Sequence, residues 1–335
     1  MLISIVIPAK NEEQNISRCL TSVISAAKDL NDAEILLVDC ASTDRTILLA
    51  KEYPIRILQL KPEWRHTAGA ARYIGSLFAS GEFIFFIDAD MSLENGFLEK
   101  AIVILQCQKE VAGVSGIGKE IFLENNEERL NTANLYRTKN TVSKVNFLGG
   151  AALYRRSALQ EARGFNPYLN ACEESELGQR LRAKKYSLLS LPYPMITHYT
   201  ANLGEWKEFM RKKKSGLYSG IGEALRVSRS LPYLLETLQY YKEFSFFLAY
   251  ILYILVVTGY AIISRAWKYL FCLPLPTILL FLLLLIKKRR AKSALASLWK
   301  WHIISVEIIK GYLRQPENPA NYPTEPLIIK KELDA

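Results

Sequence analysis

The sequence has few cysteines, and their spacing excludes two kinds of structural site. The five cysteines lie far apart in the chain, at Cys19, Cys40, Cys107, Cys172 and Cys272. No two of them form a CxxC pair, so a structural zinc site and a disulfide framework are both disfavoured. This use of cysteine suits a reducing compartment.

A basic leader is missing from the amino terminus. The chain begins MLISIVIPAK, in which a short apolar run is followed at once by the polar segment NEEQN. A secretory signal peptide has a basic region and then a longer apolar stretch. We therefore interpret these residues as a first β-strand and expect the chain to start in the cytosol.

The chain is basic, but the pattern typical of nucleic-acid binding is absent. Its formal net charge is +10 at pH 7, which suits nucleic acids, anionic membranes or phosphorylated ligands. No basic stripe is interleaved with aromatic residues for base stacking, so we expect no nucleic-acid partner. The basic clusters at residues 211–214 and 287–290 instead flank the most apolar part of the chain, which favours a membrane.

Apolar β-rich runs alternate with amphipathic segments in the N-terminal part. We expect strands at residues 2–7, 33–40, 55–60 and 82–88, and helices at residues 12–29, 42–53 and 67–80. This alternation predicts a parallel α/β sheet with helices on both faces. Ligands bind such sheets at the carboxyl ends of the strands. The loop of residues 8–12, Asp39 and Asp88 all fall at that edge.

Two long uncharged runs predict a transmembrane helical hairpin. Residues 244–263 and 269–286 contain 20 and 18 residues without a charge, and about 20 apolar residues span the hydrocarbon core of a bilayer. The alternative, a buried core helix, is normally shorter and has a polar face. Basic residues flank the pair of runs, whereas only Arg265 and Lys268 lie in the turn between them. The positive-inside rule therefore places both ends in the cytosol.

These features divide the chain into four parts. We expect an α/β domain at residues 1–225, a juxtamembrane linker at 226–243, the two transmembrane helices at 244–286, and a basic cytosolic tail at 287–335. Within the tail, residues 297–313 are apolar but carry several charged residues, which indicates a helix that lies at the membrane interface. We expect a protein integral to the cytoplasmic membrane, with its α/β domain on the cytosolic side.

The segment IFFIDADMS, residues 84–92, ends an apolar strand with two aspartates one residue apart. Alternate residues of a strand share one face, so Asp88 and Asp90 can point at one small cation. Alternatively, Asp88 ends the strand and Asp90 caps the next helix. The nine residues alone do not decide between these interpretations.

Five motifs occur in the order typical of one enzyme family. They are SIVIPAKNEE, ILLVDCASTDRT, GAARYIGSLFASGEFIFFIDAD, FLGGAALYRRSALQEARGF and EESELGQRLR. On these motifs, residues 3–225 resemble the family-2 glycosyltransferases, which have the Rossmann-like GT-A fold of nucleotide-diphospho-sugar transferases. The resemblance implies an inverting, metal-dependent transfer of a sugar from a UDP- or GDP-linked donor. The implied acceptor is a lipid-linked or growing glycan at the cytosolic membrane face.

The resemblance also implies roles for particular residues. Asp88 and Asp90 would hold Mg²⁺ or Mn²⁺ on the donor diphosphate, since hard cations take carboxylate oxygens and leave room for phosphates. His198 would complete the metal shell, although a lone histidine is as often a packed structural residue. The implied nucleotide-sugar-binding residues are Pro8, Ala9, Glu12, Asp39, Arg72, Asp88, Gly149 and Gly150.

Some of these residues have stated tasks. Asp39 would accept a hydrogen bond from the base, although the family's usual second acid is replaced here by Cys40. Arg72 would bind phosphate, which suits a guanidinium group. Gly149 and Gly150 would let the backbone approach a sugar, or would form an ordinary turn.

The catalytic base is expected at the start of an acidic helix. The family places it as the second acid of a pair, which corresponds here to Glu174 in Glu173–Glu174. Such a base takes the proton of the acceptor hydroxyl as its oxygen attacks the sugar. Glu173 and Glu176 are competing candidates, and an acidic helix start with no catalytic role is the alternative.

Two other functions fit part of this pattern. A nucleotidyltransferase acting on sugar phosphates has a similar sheet and metal carboxylates, but it needs a glycine-rich basic loop after the first strand, and PAKNEE is neither. A catalytically inactive glycan- or nucleotide-binding membrane protein stays open because Cys40 and Glu174 depart from the family pattern.

Overall fold

The structure is a computed structural model that describes residues 2–28, 30, 32–124, 127–130, 141–201 and 203–331. It contains two compact units. The first runs to Gly204 and also includes the chain from Glu317 onward, and the second is Glu205–Pro316.

The strands of the described residues all lie in the first unit. They are β1 (Ile3–Ala9), β2 (Ala33–Asp39), β3 (Arg56–Gln59), β4 (Phe83–Phe86), β5 (Met91–Leu93), β6 (Val111–Glu124), β7 (Glu127–Leu130), β8 (Ser143–Lys144), β9 (Ala152–Arg155), β10 (Ser187–Ala201) and β11 (Leu327–Lys330). They form one sheet in the order β11-β3-β2-β1-β4-β9-β6-β10-β5, while β7 pairs with β6 and β8 pairs with β10.

The helices of the first unit cover this sheet. They are α1 (Ile16–Ala27), α2 (Thr46–Ala50), α3 (Ala68–Phe78), α4 (Phe97–Cys107), α5 (Arg156–Glu161) and α6 (Glu173–Ala183). Buried side chains alternate between two core clusters, so that Ile5 and Ile7 of β1 join one cluster and Val6 joins the other. Strands β1, β2 and β4 are mostly apolar along their whole length, because both faces of each strand are buried.

The α/β fold predicted from the sequence is confirmed, but the sheet is mixed. β1 pairs in parallel with both β2 and β4, and β2 pairs in parallel with β3. Beyond β4 the sheet changes direction, because β9 is antiparallel to β4 and β6 is antiparallel to β9. The expectation of a parallel sheet is therefore correct only for β3, β2, β1 and β4.

The second unit is helical. Its helices are α7 (Gly204–Lys214), α8 (Leu217–Ser228), α9 (Leu231–Tyr240), α10 (Lys242–Ile263), a 3₁₀ segment at Trp267–Cys272, α11 (Leu275–Lys288) and α12 (Ala291–Leu313). Two 22-residue segments, Lys242–Ile263 and Trp267–Lys288, are long and apolar enough to cross a membrane, and little of either is buried inside the protein. By length and composition these segments agree with the predicted hairpin.

The division into units differs from the predicted boundaries. The boundary predicted at residue 225 falls inside α8, which packs along α12 in the second unit. The predicted linker contains α9, and the predicted tail contains α12, which also packs on α10 and α11. Residues 317–331 return to the first unit and end in β11, which is antiparallel to β3. Long-range packing sets the boundaries between the two units. A change of composition along the chain does not reveal such packing.

Candidate active site

The carboxyl ends of three neighbouring strands meet at one edge of the sheet. In the parallel register of β1 and β2, Pro8 lies beside Val38 and Ala9 lies beside Asp39. On the other side of β1 is β4, after which Asp88 and Asp90 follow. The sheet thus gathers the polar residues that the sequence predicted at this edge.

Asp88 and Asp90 lie between β4 and β5, each with about a third of its side chain exposed. β5 is antiparallel to β10, and this pairing puts His198 opposite Met91. As a result, His198 Nε2 lies 3.0 Å from Asp90 Oδ2. Burial alone would lower the pKa of His198, but the hydrogen bond and the charge of Asp90 outweigh it and raise the pKa. Asp90 and His198, separated by 108 positions, are therefore direct neighbours.

Arg72 is buried in α3, and its guanidinium group faces three carboxylates. Nη2 donates to Asp88 Oδ1 over 2.6 Å, and Nη1 donates to Glu173 and lies 3.4 Å from Glu174 Oε1. The partners of Arg72 in the structure are thus side chains of the protein, and its predicted contact with a phosphate stays a prediction. A buried guanidinium needs such anions to offset its lost hydration. Arg72 thus joins the aspartates after β4 to the start of α6.

The acids at the start of α6 differ in their surroundings. The side chain of Glu173 is 6% exposed, and burial followed by repulsion from Glu174 raises its pKa to about 8, although Arg72 lowers it. Glu176 is 3% exposed and is held by Arg180 through contacts of 2.7 and 2.6 Å. Glu174 is 20% exposed. Of the three candidate bases, Glu174 has the carboxylate most open to a substrate.

Gly150 makes room for the carboxylate of Asp88. A Cβ atom at this position would lie 2.3 Å from Asp88 Oδ2 and 3.1 Å from Arg72 Nη2. A side chain at this position would therefore collide with residues of the site, and the predicted approach of the backbone to a sugar stays a prediction. A Cβ atom at Gly149 would meet nothing within 4 Å, so the structure shows no steric need for glycine there.

Asp39 is fully buried at the end of β2. Its Oδ2 accepts from the Ser42 N–H over 2.8 Å and from Gln59 Nε2 over 3.0 Å. Its Oδ1 is buried without a hydrogen-bond partner among the described residues. Gln59 was not among the residues predicted from the sequence. The register of β2 and β3 puts Gln59 beside Asp39, so a polar residue at the end of the neighbouring strand was the available signal.

Glu12 lies in the loop after β1. Its N–H donates to Thr46 Oγ1 over 2.7 Å, and its Oε2 accepts from Asn15 Nδ2 over 2.8 Å. Burial raises the pKa of Glu12 to about 7; Asn15 opposes this effect, and the charges of Asp90 and Asp88 add to it. The loop after β1 therefore adds another acid to the electrostatic surroundings of the aspartate pair.

The residues present fit a hard divalent cation that is completed by substrate. In the described part of the chain, no group of three or more His, Cys, Asp and Glu side chains is placed to hold a metal ion. Mg²⁺, however, is usually held by one or two carboxylates together with substrate phosphates and water. Asp90 Oδ1 and His198 Nδ1 are buried without hydrogen-bond partners among the described residues. Asp90 and His198 thus carry free donor atoms beside the carboxylate of Asp88, and substrate oxygens would have to complete the coordination of such a cation.

Comparisons with known proteins identify the family of this region. Residues 4–163 match the family model described as Glycosyl transferase family 2. A poly(ribitol-phosphate) beta-glucosyltransferase of Bacillus spizizenii is 29% identical over 205 residues, covering 56% of this chain and 31% of that relative. Glycosyltransferase AglE of Haloferax volcanii is 26% identical over 200 residues, covering 56% of this chain and 63% of that relative. The chain therefore spans less than two thirds of the length of either relative.

The fold is also that of a solved glycosyltransferase. The crystal structure of GalNAc-T7 with UDP, GalNAc and Mn²⁺ aligns with a TM-score of 0.50 at 17% identity, covering 60% of this chain and 44% of that one. This likeness concerns the fold alone. The family match over residues 4–163 leads to one conclusion: this N-terminal region belongs to glycosyl transferase family 2.

Proposed function

We propose that this protein is a membrane-bound, inverting glycosyltransferase. It transfers a sugar from a UDP- or GDP-linked donor to a lipid-linked or growing-glycan acceptor. The observation that carries this proposal is the meeting of Asp88, Asp90 and His198 at the carboxyl edge of the sheet, beside the start of α6 with Glu174. The family match and the glycosyltransferase relatives support the same class of reaction.

The donor is proposed to lie along this edge. The unpaired Oδ1 of Asp39 accepts from the base, and the backbone of Pro8 and Ala9 borders the nucleotide. Asp88, Asp90 and His198 would hold Mg²⁺ or Mn²⁺, and the bound cation would supply positive charge to offset the negative charge on the leaving nucleoside diphosphate. The fold neighbour GalNAc-T7 was solved with Mn²⁺, which is consistent with this proposal.

Glu174 is proposed as the base. Its carboxylate accepts the proton of the acceptor hydroxyl while the hydroxyl oxygen bonds to the anomeric carbon. The bond from that carbon to the diphosphate oxygen breaks on the opposite face, and the nucleoside diphosphate leaves. Arg72 contacts both Glu174 and Asp88. It therefore keeps the proposed base at a fixed distance from the carboxylate proposed to bind the sugar donor.

The two apolar segments support a location in the cytoplasmic membrane with the α/β unit on the cytosolic side. Basic residues lie on the outer sides of both segments, as the positive-inside rule requires for cytosolic ends. An acceptor carried on a lipid would then be at the same surface as the enzyme.

A donor panel tests this proposal. The full-length protein in membrane vesicles is mixed with UDP- and GDP-linked sugars and Mn²⁺ or Mg²⁺, and release of nucleoside diphosphate and labelling of lipid and glycan fractions are measured. We expect one base class to be used, and the activity to require the metal. A chain that binds but never turns over any donor would contradict a transferase and favour a binding protein.

A further inference from the structure

The chain after the apolar helices returns to the α/β unit. Within residues 317–331, β11 pairs with β3, so that Leu327 lies beside Gln59 and Ile328 beside Leu58. Gln59 in turn donates to Asp39. We name residues 317–331 the C-terminal strap. Its last part thus extends the sheet next to a predicted nucleotide-binding residue.

The centre of the strap is a buried tyrosine. Tyr322 is 3% exposed, and its ring makes edge contacts with Trp64, Tyr73 and Tyr168 at centroid distances of 5.7, 6.1 and 5.4 Å. Its hydroxyl donates to the Arg65 carbonyl oxygen over 2.6 Å. Edge-to-face aromatic contacts of this kind add to the stabilisation that comes from burial alone. Tyr322 therefore links two loops of the α/β unit, residues 61–67 and 166–172.

Arg65 bridges the strap and the second of these loops. Its Nη1 lies 3.2 Å from Glu317 Oε1 and its Nη2 lies 3.2 Å from Asn170 Oδ1. Two residues further on, Thr67 Oγ1 donates to the Pro167 carbonyl oxygen over 2.8 Å. The strap, the loop before α3 and the loop before α6 are thereby joined by directional contacts.

These two loops lead directly into the site. Thr67 caps α3 by accepting from the Ala70 N–H over 2.9 Å, and α3 carries Arg72. A Cβ atom at Gly69 would lie 2.7 Å from the Asn166 carbonyl oxygen and 3.4 Å from Glu173. The first turn of α3 is thus in close contact with the loop before α6. A shift of either loop would move the contacts of Arg72 with the acids of α6.

We propose that the C-terminal strap positions the active site, with Tyr322 as the positioning residue. Tyr322 holds residues 61–67 and 166–172 together, and through them it sets the placement of Arg72 against Glu173 and Glu174. The strap follows the apolar helices in sequence, so the site is complete only after the chain has passed through them. The expected effect on sugar transfer rests on the proposed function. The expected effect on the two loops can be measured without activity.

The test compares three variants of the full-length protein. Tyr322→Ala removes the ring and the hydroxyl, and Tyr322→Phe keeps the ring contacts. Tyr240→Ala removes a tyrosine that is 72% exposed and serves as the matched control. Amide hydrogen exchange is followed in residues 61–72 and 166–177, and transfer is expressed as kcat per donor-binding site counted by calorimetry.

We expect Tyr322→Ala to exchange faster in both segments while the protein stays folded. Its kcat per site should fall about 10- to 100-fold, because small misplacements of catalytic groups have effects of this size. Tyr322→Phe should keep most of the slow exchange in both segments and most of the kcat per site. Tyr240→Ala should match the parent protein in both measurements.

Two results would overturn the inference. The first is unchanged exchange in both segments of Tyr322→Ala. The second is a smaller number of donor-binding sites with an unchanged kcat per site, since that pattern belongs to a residue that only stabilises the fold. If the parent protein transfers no sugar, the proposed function fails, and the exchange measurement still decides the role of the strap.

Discussion

At the scale of single residues, the site holds more carboxylates than cations. Arg72 contacts Asp88, Glu173 and Glu174, while Asp90 and Glu12 are further acids nearby. Burial raises the pKa of Asp88 to about 6, against the opposing effect of Arg72 and with added repulsion from Asp90. One arginine does not balance these acids, and a divalent cation would relieve their repulsion.

Replacing either aspartate should therefore weaken metal-dependent binding of nucleoside diphosphate. For Asp88→Asn and for Asp90→Asn we expect a loss at least as large as the roughly 10- to 100-fold typical of losing an outer contact of a metal site. Calorimetry with Mn²⁺ and a panel of nucleotides measures this loss. Asp32→Asn, which changes an exposed aspartate at the start of β2, should bind like the parent protein. Normal binding in both site variants would remove the metal role.

The carboxylate of Glu174 should affect turnover and leave donor binding unchanged. Glu174→Gln keeps the shape of the side chain and removes its basicity, so we expect transfer to fall by a factor of about 10² to 10⁴. Glu174→Asp should retain activity, since aspartate is the usual residue of the resembling family. Donor affinity and turnover are measured separately.

The neighbouring acids provide the comparison for this prediction. Glu173→Gln and Glu176→Gln change carboxylates that are buried against Arg72 and Arg180. Normal turnover by Glu174→Gln, with an inactive Glu173→Gln or Glu176→Gln, would reassign the base. Activity in all three variants would mean that the acidic start of α6 is structural.

At the scale of elements, α8 and α12 approach each other closely through glycines. A Cβ atom at Gly222 would lie 1.9 Å from the Ile308 carbonyl oxygen, and one at Gly311 would lie 1.9 Å from the Ser219 carbonyl oxygen. Small residues at such crossings let two helix backbones come into contact, as in membrane helix pairs. This contact explains why α8 belongs to the helical unit and not to the α/β unit.

Gly311→Ala should separate these helices and destabilise the helical unit. We expect a loss of about 1–3 kcal/mol in the free energy of unfolding, the usual range for overpacking. Gly259→Ala in α10 is the matched control, because a Cβ atom there meets nothing within 4 Å. Thermal unfolding in detergent compares the two variants. Equal unfolding midpoints for the two variants would show that the α8–α12 contact relaxes without a loss of stability.

At the scale of the whole molecule, the path of the chain restricts how it can cross a membrane. The α/β unit contains chain from before and after the two apolar segments, because β11 pairs with β3. Both parts must be on the same side of a bilayer to form one sheet. The chain therefore crosses an even number of times if it crosses at all, which agrees with the predicted hairpin.

Cysteine labelling in sealed vesicles tests this topology. In a background without Cys107 and Cys272, Lys268→Cys should react only from outside, and Lys292→Cys only from the cytosolic side. The basic flanks and the short turn between the segments lead to this expectation. Reaction of position 268 from the cytosolic side, or of position 292 from the outside, would contradict the hairpin.

The sequence by itself determined the features that depend on neighbouring residues. The core strands were predictable because Ile3–Ala9, Ala33–Asp39 and Phe83–Phe86 are mostly apolar, and apolar runs of that length are local signals. The two apolar segments were predictable for the same reason. The ordered motifs likewise identified the family and the aspartate pair at the end of β4.

Only the tertiary structure decided the features that depend on distant residues. The partners of Arg72 come from two other elements, His198 meets Asp90 across 108 positions, and Tyr322 meets Arg65 across 257. The return of β11 to β3 and the contact between α8 and α12 are equally non-local. Such contacts form because folding buries apolar surface and pairs buried polar groups, wherever in the chain they lie. A pattern read along the sequence records which groups need partners, and three-dimensional packing selects the partners.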